Sequence, residues 1–291
     1  MPGKILPRIV IPMPHSTDHE YASRAIPQYE HAITLVGGEP VRIPLDRNVE
    51  EVRKMIESCD GVLLPGSKAD VDPARFNATR SPHTAAADPQ RDAVDDLLLE
   101  DAYKLRKPVL GICYGLQSLN VFRGGSLIQH IPDFLPEQTR AKVNHEAGRT
   151  VAVAHAVEIE PNSTLAAIVV GNDGKHREGQ KAPGPPKNRE GHGFSRASAD
   201  QPTDGALASE GNLVFPVNSS HHQSADVIGQ GLRIVARCPD DGIIEAVEGT
   251  APTHFVLAVQ WHPERSVDDD AASRTIFRAL VDAAGCQIKG F

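Results

Sequence analysis

Through its first half the chain alternates short aliphatic runs with longer stretches of helical period. RIVIP (Arg8 to Pro12) precedes a helical stretch from about Glu20 to Val36, which Gly37 and Gly38 terminate; PVRIP, a helical stretch at about Val49 to Glu57, and GVLLPG come next. Such alternation predicts a parallel sheet covered by helices. RDAVDDLLLEDAYKLRKP extends the series, with Val94, Leu97, Leu98, Ala102 and Leu105 on one helical face and charges opposite. Pro108 closes that helix and opens the next strand.

The second half has a different rhythm. RTVAVAHAVEIE, NLVFPVNSSHHQ, LRIVARCPD, IIEAVEG and HFVLAVQWHPE follow one another with few helices between, which predicts mixed or antiparallel pairing at one side of the sheet. A last helix, about Asp269 to Ala284, presents Ile276, Phe277, Leu280, Val281 and Ala284 on one face. Between Gly171 and Asn212 the chain is rich in Gly, Pro and charge and nearly free of large apolar residues, so it cannot offset its ordering entropy by burial. It reads as a mobile insertion, a surface linker rather than a functional lid.

Composition narrows the function classes. With 291 residues and 40% hydrophobic content, the chain can bury the core of one α/β domain over 1–291, carrying the insertion at 171–212. A net charge of -8 argues against nucleic acid or a membrane surface as partner and suits a small polar substrate. Prolines interrupt the apolar N-terminal residues where a signal peptide would need continuity, and no segment approaches a membrane span of about 20 residues, so a cytoplasmic location is expected. The four cysteines, Cys59, Cys113, Cys238 and Cys286, form no CxxC pair and indicate neither a zinc site nor a disulfide framework.

One cysteine has a special setting. In KPVLGICYGLQSLN, Cys113 ends an apolar run between Gly111 and Gly115 and leads directly into a helix. Glycines at those positions permit a sharp strand-to-helix bend that exposes a nucleophile. The helix LQSLNVFRG aims its N-terminal dipole and free amides at the sulfur, and the Tyr114 amide can donate to a developing oxyanion. A buried cysteine ending a core strand is the competing reading, and the glycines alone leave the two evenly matched. VQWHPE tips the balance. A cysteine nucleophile needs a base and the base needs an orienting acceptor; on extended backbone residues two apart share a side, so Glu264 can orient His262.

PVLGICYGLQSLN and FVLAVQWHPE resemble the nucleophile and His/Glu motifs of class I glutamine amidotransferases. GVLLPGSKADVDP, RDAVDDLLLEDAYKLRKPVLGICYGLQSLNVFRGGSLIQHI, VNSSHHQ and DDGIIEAVE are similar, in order and spacing, to the gamma-glutamyl-gamma-aminobutyrate hydrolase family. The resemblance implies a flavodoxin-like three-layer α/β sandwich, its mostly parallel central sheet extended by antiparallel strands, and cysteine hydrolysis of gamma-glutamyl amides. Carried over, Cys113 matches the nucleophile, His262 the base and Glu264 the orienting acid. LLPGS occupies the oxyanion loop, with a backbone amide of Gly66 or Ser67 joining that of Tyr114. Gln117 matches a glutamyl-contacting position, and NSSHHQ a substrate-side loop in which backbone amides near Ser219 and Ser220 hold the glutamyl α-carboxylate, with His221 a further substrate-side residue. Tyr114, where the family often has Arg, and Arg123, where it usually has a small or apolar residue, are departures placed near the mouth of the site.

No cofactor and no metal is implied. His221 and His222, read as strand neighbours, point to opposite faces and cannot share an ion. The implied partner is a small gamma-glutamyl substrate, with a homodimer left open. Two other readings compete: a glutaminase subunit delivering ammonia to a synthetase, and a catalytically silent binding module.

Overall fold

The computed structural model describes residues 5–171 and 213–288; the expected insertion at 171–212 lies, Gly171 apart, outside the described residues. The alternating first half forms β1 (Arg8–Pro12), α1 (His19–Leu35), β2 (Glu39–Ile43), α2 (Val49–Glu57), β3 (Gly61–Leu64), α3 (Pro89–Leu105), β4 (Val109–Ile112) and α4 (Tyr114–Phe122). Asp18, Asn48 and Asp88 accept amide hydrogen bonds at the starts of α1, α2 and α3, which sets where those helices begin. There follow β5 (Leu127–Ile128), two single-turn helices α5 (Ile131–Phe134) and α6 (Glu137–Arg140), β6 (His155–Ile159) and α7 (Thr164–Val170). The chain closes with β7 (Leu213–Val217), β8 (Ser224–Ala225), β9 (Leu232–Arg237), β10 (Ile244–Gly249), β11 (Val256–Val259) and α8 (Ala271–Ile288).

The main sheet has nine strands in the order β2-β1-β3-β4-β11-β10-β9-β6-β7. Strands β2, β1, β3, β4 and β11 run parallel, while β10, β9, β6 and β7 add on antiparallel. This is the expected sandwich. On one face Ile26, Tyr29 and Ile33 of α1 pack with Ile276, Phe277 and Leu280 of α8. On the other, Val52 and Ile56 of α2, Leu98 and Leu99 of α3, and Leu116 and Leu119 of α4 form a second core. Burial on both sides explains why β3, β4 and β11 are continuous apolar runs rather than alternating ones. Among the described residues no helix is long and apolar enough to cross a membrane.

Three local expectations need correction. Leu105 is 53% exposed, whereas Arg91, Asp92 and Asp95 of α3 are buried, so the charges of that helix are not confined to its solvent side. Of RTVAVAHAVEIE only His155–Ile159 is strand; Val151 and Val153 are exposed, and the chain before them turns toward the site described below. VNSSHHQ leaves the sheet at Val217 and continues as a loop, so His221 and His222 are not strand neighbours.

Candidate active site

Cys113 is the hinge between β4 and α4, with φ 53° and ψ -105°. A non-glycine residue in that region costs about 1–3 kcal/mol and persists only where the surroundings over-determine it. Here they do. A Cβ on Gly115 would lie 2.2 Å from the Leu64 carbonyl oxygen, and one on Gly111 2.8 Å from the Gly115 carbonyl, so the first turn of α4 sits hard against β3 and β4. Cys113 is the N-cap of α4, its carbonyl accepting from the Leu116 amide at 3.0 Å and the Gln117 amide at 3.3 Å, at the positive end of the helix dipole.

His262 follows β11 on the adjacent strand end. Its Nδ1 lies 2.7 Å from Glu264 Oε1, and both residues are buried. They meet across the 3₁₀ turn Pro263–Arg265, not along extended backbone as the sequence suggested. The His262 imidazole also interacts with the Cys113 sulfur. Burial alone would depress the His262 pKa; Glu264 and Cys113 outweigh it and raise it to about 9. Burial pushes Glu264 the other way, but His262 brings it below its ordinary value. Asn218 holds the His262 backbone at both ends: its Oδ1 accepts from the His262 amide at 2.9 Å and its Nδ2 donates to the His262 carbonyl at 2.8 Å.

The loop after β3 crosses in front of this pair. At Gly66 a Cβ would lie 3.1 Å from both His262 Cε1 and the Tyr29 hydroxyl and 3.6 Å from Cys113 Cβ, so a side chain there would have to displace its neighbours by a few tenths of an ångström. The Gly66 amide donates to the Tyr29 hydroxyl at 3.0 Å. Of the two expected oxyanion donors in this loop, Ser67 is therefore the one whose amide stays available alongside that of Tyr114. Beneath the loop the fully buried Arg91 donates from Nη2 to the Pro65 carbonyl at 2.8 Å and from Nε to Asp95 Oδ1 at 2.7 Å.

A cavity of about 620 Å³ opens over Cys113 and His262; Ser67, Gln117, Ser220 and His221 also line it. Gln117 is held by Nε2 bonds to the Gln223 carbonyl at 3.2 Å and Gln260 Oε1 at 3.4 Å. The Ser219 side chain is fully buried outside the cavity lining, its Oγ 3.3 Å from Glu245 Oε2. Alternate residues of a turning loop face different ways, which leaves Ser220 toward the cavity.

The two departures divide. The Tyr114 side chain is 1% exposed; its hydroxyl donates to Asp92 Oδ1 at 2.5 Å and its ring lies under the Arg91 guanidinium at 4.8 Å. It braces the loop after β3 through Arg91 while only bordering the cavity. Arg123 does not line the cavity; it caps the far end of α4, stacks on Tyr103 and donates to the Gln230 carbonyl at 2.8 Å.

Sequence reasoning missed Arg24, Lys68, Arg149 and Arg265, which give the cavity a cationic rim against Asp70 and Glu146, partly offset because Lys68 pairs with Asp18 at 2.9 Å, Arg149 with Glu146 at 3.2 Å, Arg24 with Glu20 at 3.5 Å and Arg265 with Glu264 at 3.6 Å. Nothing local marks them, because each comes from a different segment. Asn218 could have been found, since it stands beside the serines of NSSHHQ.

A family model described as peptidase C26 matches residues 10–183 and 185–264. A Rickettsia prowazekii protein named as glutamine amidotransferase-like is 31% identical over 263 residues, 88% of this chain and 87% of its own. One from Mycobacterium tuberculosis, with a glutamine amidotransferase name, is 35% identical over 88% of this chain and 66% of its own length. Gamma-glutamyl-gamma-aminobutyrate hydrolase of Escherichia coli K12 is 30% identical over 89% of this chain and 85% of its own. In fold, the chain is similar to the crystal structure of a Thermoplasma acidophilum protein described as a GMP synthase subunit, with TM-score 0.57 over 99% of this chain and 98% of that one at 14% identity.

Proposed function

Because the chain belongs to the peptidase C26 family and is accordingly a hydrolase, we propose that it cleaves gamma-glutamyl amides to glutamate and a free amine, with Cys113, His262 and Glu264 as its catalytic residues. The observation that carries this reading is the strained Cys113 at a helix N-terminus, facing an imidazole fixed by a buried carboxylate at the floor of a cavity. The Cys113 thiolate attacks the gamma-carbonyl carbon and forms a C–S bond. The oxyanion is held by the Ser67 and Tyr114 amides. His262 then gives its proton to the leaving nitrogen as the C–N bond breaks. Water, deprotonated by the same imidazole, attacks the thioester, the C–S bond breaks, and glutamate leaves.

The cationic rim favours a leaving amine that itself carries a carboxylate, as gamma-aminobutyrate does, over a polycation. The Escherichia coli relative's name points to the same compound. Comparing kcat/KM across gamma-glutamyl-gamma-aminobutyrate, gamma-glutamyl polyamines and glutamine tests it, because that ratio reports transition-state discrimination. The carboxylate-bearing amide should rank first. A preference for glutamine that rises on adding a synthetase would replace this reading with that of an ammonia-delivering subunit.

The acid that protonates the amine is His262 in its charged form. With its pKa raised to about 9, kcat/KM should hold through neutral pH and fall about tenfold per unit above pH 9. An alkaline limb near pH 7 would remove His262 from that role. The same shift sets a sign for stability: the pair's contribution is fully present below the ordinary histidine pKa of about 6.5 and is lost as pH rises through about 9.

A further inference from the structure

Beside the active-site cavity, whose lining His221 shares, four buried side chains converge: His145 from the segment after α6, His155 at the start of β6, His221 from the NSSHHQ loop, and Glu245 in β10. His145 Nδ1 lies 3.1 Å from Glu245 Oε1, and His155 Nε2 and His221 Nε2 each lie 3.3 Å from the same oxygen. Among the described residues none of these four atoms has a partner in hydrogen-bonding geometry, though all are shielded from solvent.

The outer nitrogens explain why. His155 Nδ1 is 2.9 Å from the Ala156 carbonyl and His221 Nδ1 2.8 Å from the Gln223 carbonyl, so each carries its hydrogen there. His145 Nε2 faces Asp241 Oδ2 at 2.8 Å. In the neutral tautomers that result, three imidazole lone pairs and one carboxylate oxygen point at a single spot, and without a cation these acceptors repel one another. Protons are one remedy: burial opposes them, yet Asp241 and Glu245 raise His145 to about 9, and Cys238 with Glu245 raises His155 to about 10, while burial holds His221 below its ordinary value. Two such protons would balance Glu245 and Asp241, but they would sit on nitrogens that make no aligned hydrogen bond to Glu245 Oε1. One dication supplies the same two charges to all four atoms at once.

We infer that His145, His155, His221 and Glu245 form a four-coordinate site for a divalent transition metal, zinc by its ligand set. In a tetrahedral shell with bonds of about 2.0–2.1 Å, ligand atoms stand about 3.3 Å apart, matching the three distances to Glu245 Oε1. The four atoms lie within 4.8 Å of one another, so side-chain shifts of about 1 Å close the shell. Each histidine has the backing acceptor that metal-bound imidazoles use, and Ser219 Oγ, 3.3 Å from Glu245 Oε2, orients the carboxylate. A dication, three neutral rings, Glu245 and Asp241 sum to zero charge. A second trio, His145, Cys238 and Asp241, competes for His145, but through the nitrogen already turned to Asp241. With all four positions filled by protein the ion is structural. It ties the antiparallel strands to the loop that carries Asn218, and so supports the His262 backbone.

The test uses untagged full-length protein, stripped with a chelator and titrated with zinc(II). About one zinc should bind per chain, with Tm rising by roughly 5 °C or more, and cobalt(II) in its place should give the intense visible bands of a four-coordinate ion. Glu245→Gln should lose at least about nine-tenths of the bound zinc, while Cys113→Ser keeps it, which separates this site from metal captured by the reactive cysteine. Stripped wild-type protein that stays folded, binds no zinc and shows no change in Tm overturns the inference, as does stoichiometric zinc in Glu245→Gln. Because the readouts are metal content and spectrum, they stand whether or not the protein hydrolyses gamma-glutamyl amides.

Discussion

Cys113→Ser is expected to lower kcat for gamma-glutamyl amide hydrolysis by roughly 10⁴-fold or more, with Tm unchanged within about 1 °C. The hydroxyl replaces the thiol on the same Cβ, so the φ of 53° and the packing of Gly115 against Leu64 persist. What changes is the nucleophile. A serine hydroxyl is far less acidic than a thiol, and an imidazole already committed to Glu264 cannot hold the resulting alkoxide at neutral pH. Substrate should still bind, since Gln117 and the cationic rim are untouched. Amine release measured beside a melting curve decides the matter: near-normal turnover from the serine variant would remove Cys113 from the mechanism.

Arg91→Met is expected to produce the largest loss of stability, about 3–5 kcal/mol, because it leaves Asp95 as an uncompensated buried charge. In a domain of this size that is a fall in Tm of roughly 6–15 °C. Burial already pushes the Asp95 pKa up while Arg91 pulls it down. Without the guanidinium the carboxyl protonates more readily, so the deficit should shrink as pH is lowered. Arg91→Met with Asp95→Leu should recover part of the loss, since removing both charges leaves neither stranded. Activity should fall even where the fold survives, because the Pro65 carbonyl loses its anchor and the Ser67 amide its fixed position. A cost below about 1 kcal/mol, or a double variant no better than the single one, would show that the pair does not bear on the loop.

Arg91 also marks where reading the sequence failed. Along α3 the apolar period was legible, and Val94, Leu98 and Ala102 are buried as it demanded. Periodicity places charged residues on the solvent side, yet Arg91 and Asp95 neutralise each other four residues apart, and Arg91 finds carbonyl acceptors at Pro14 and Pro65. Those acceptors lie 77 and 26 residues away, beyond the reach of any local pattern. The loop after β3 repeats the lesson. LLPGS was recognisable, but which of its amides stays available depends on the Tyr29 hydroxyl, 37 residues back, that takes the hydrogen of Gly66.

From the sequence alone came the alternating strands and helices, the antiparallel extension, the glycine-flanked bend at Cys113 and the pairing of His262 with Glu264. Each is local: a period, a turn that only glycine permits, or a spacing of two residues. Only the tertiary structure decided what long-range contacts control. It turned Ser219 away and Ser220 toward the cavity, assembled a cationic rim from separate segments, and drew His145, His155, His221 and Glu245 onto one point. The groups that gather round His221 come from three other parts of the chain, not from its neighbour His222. No spacing rule announces such a cluster, because the sheet, not the order of residues, brings them together.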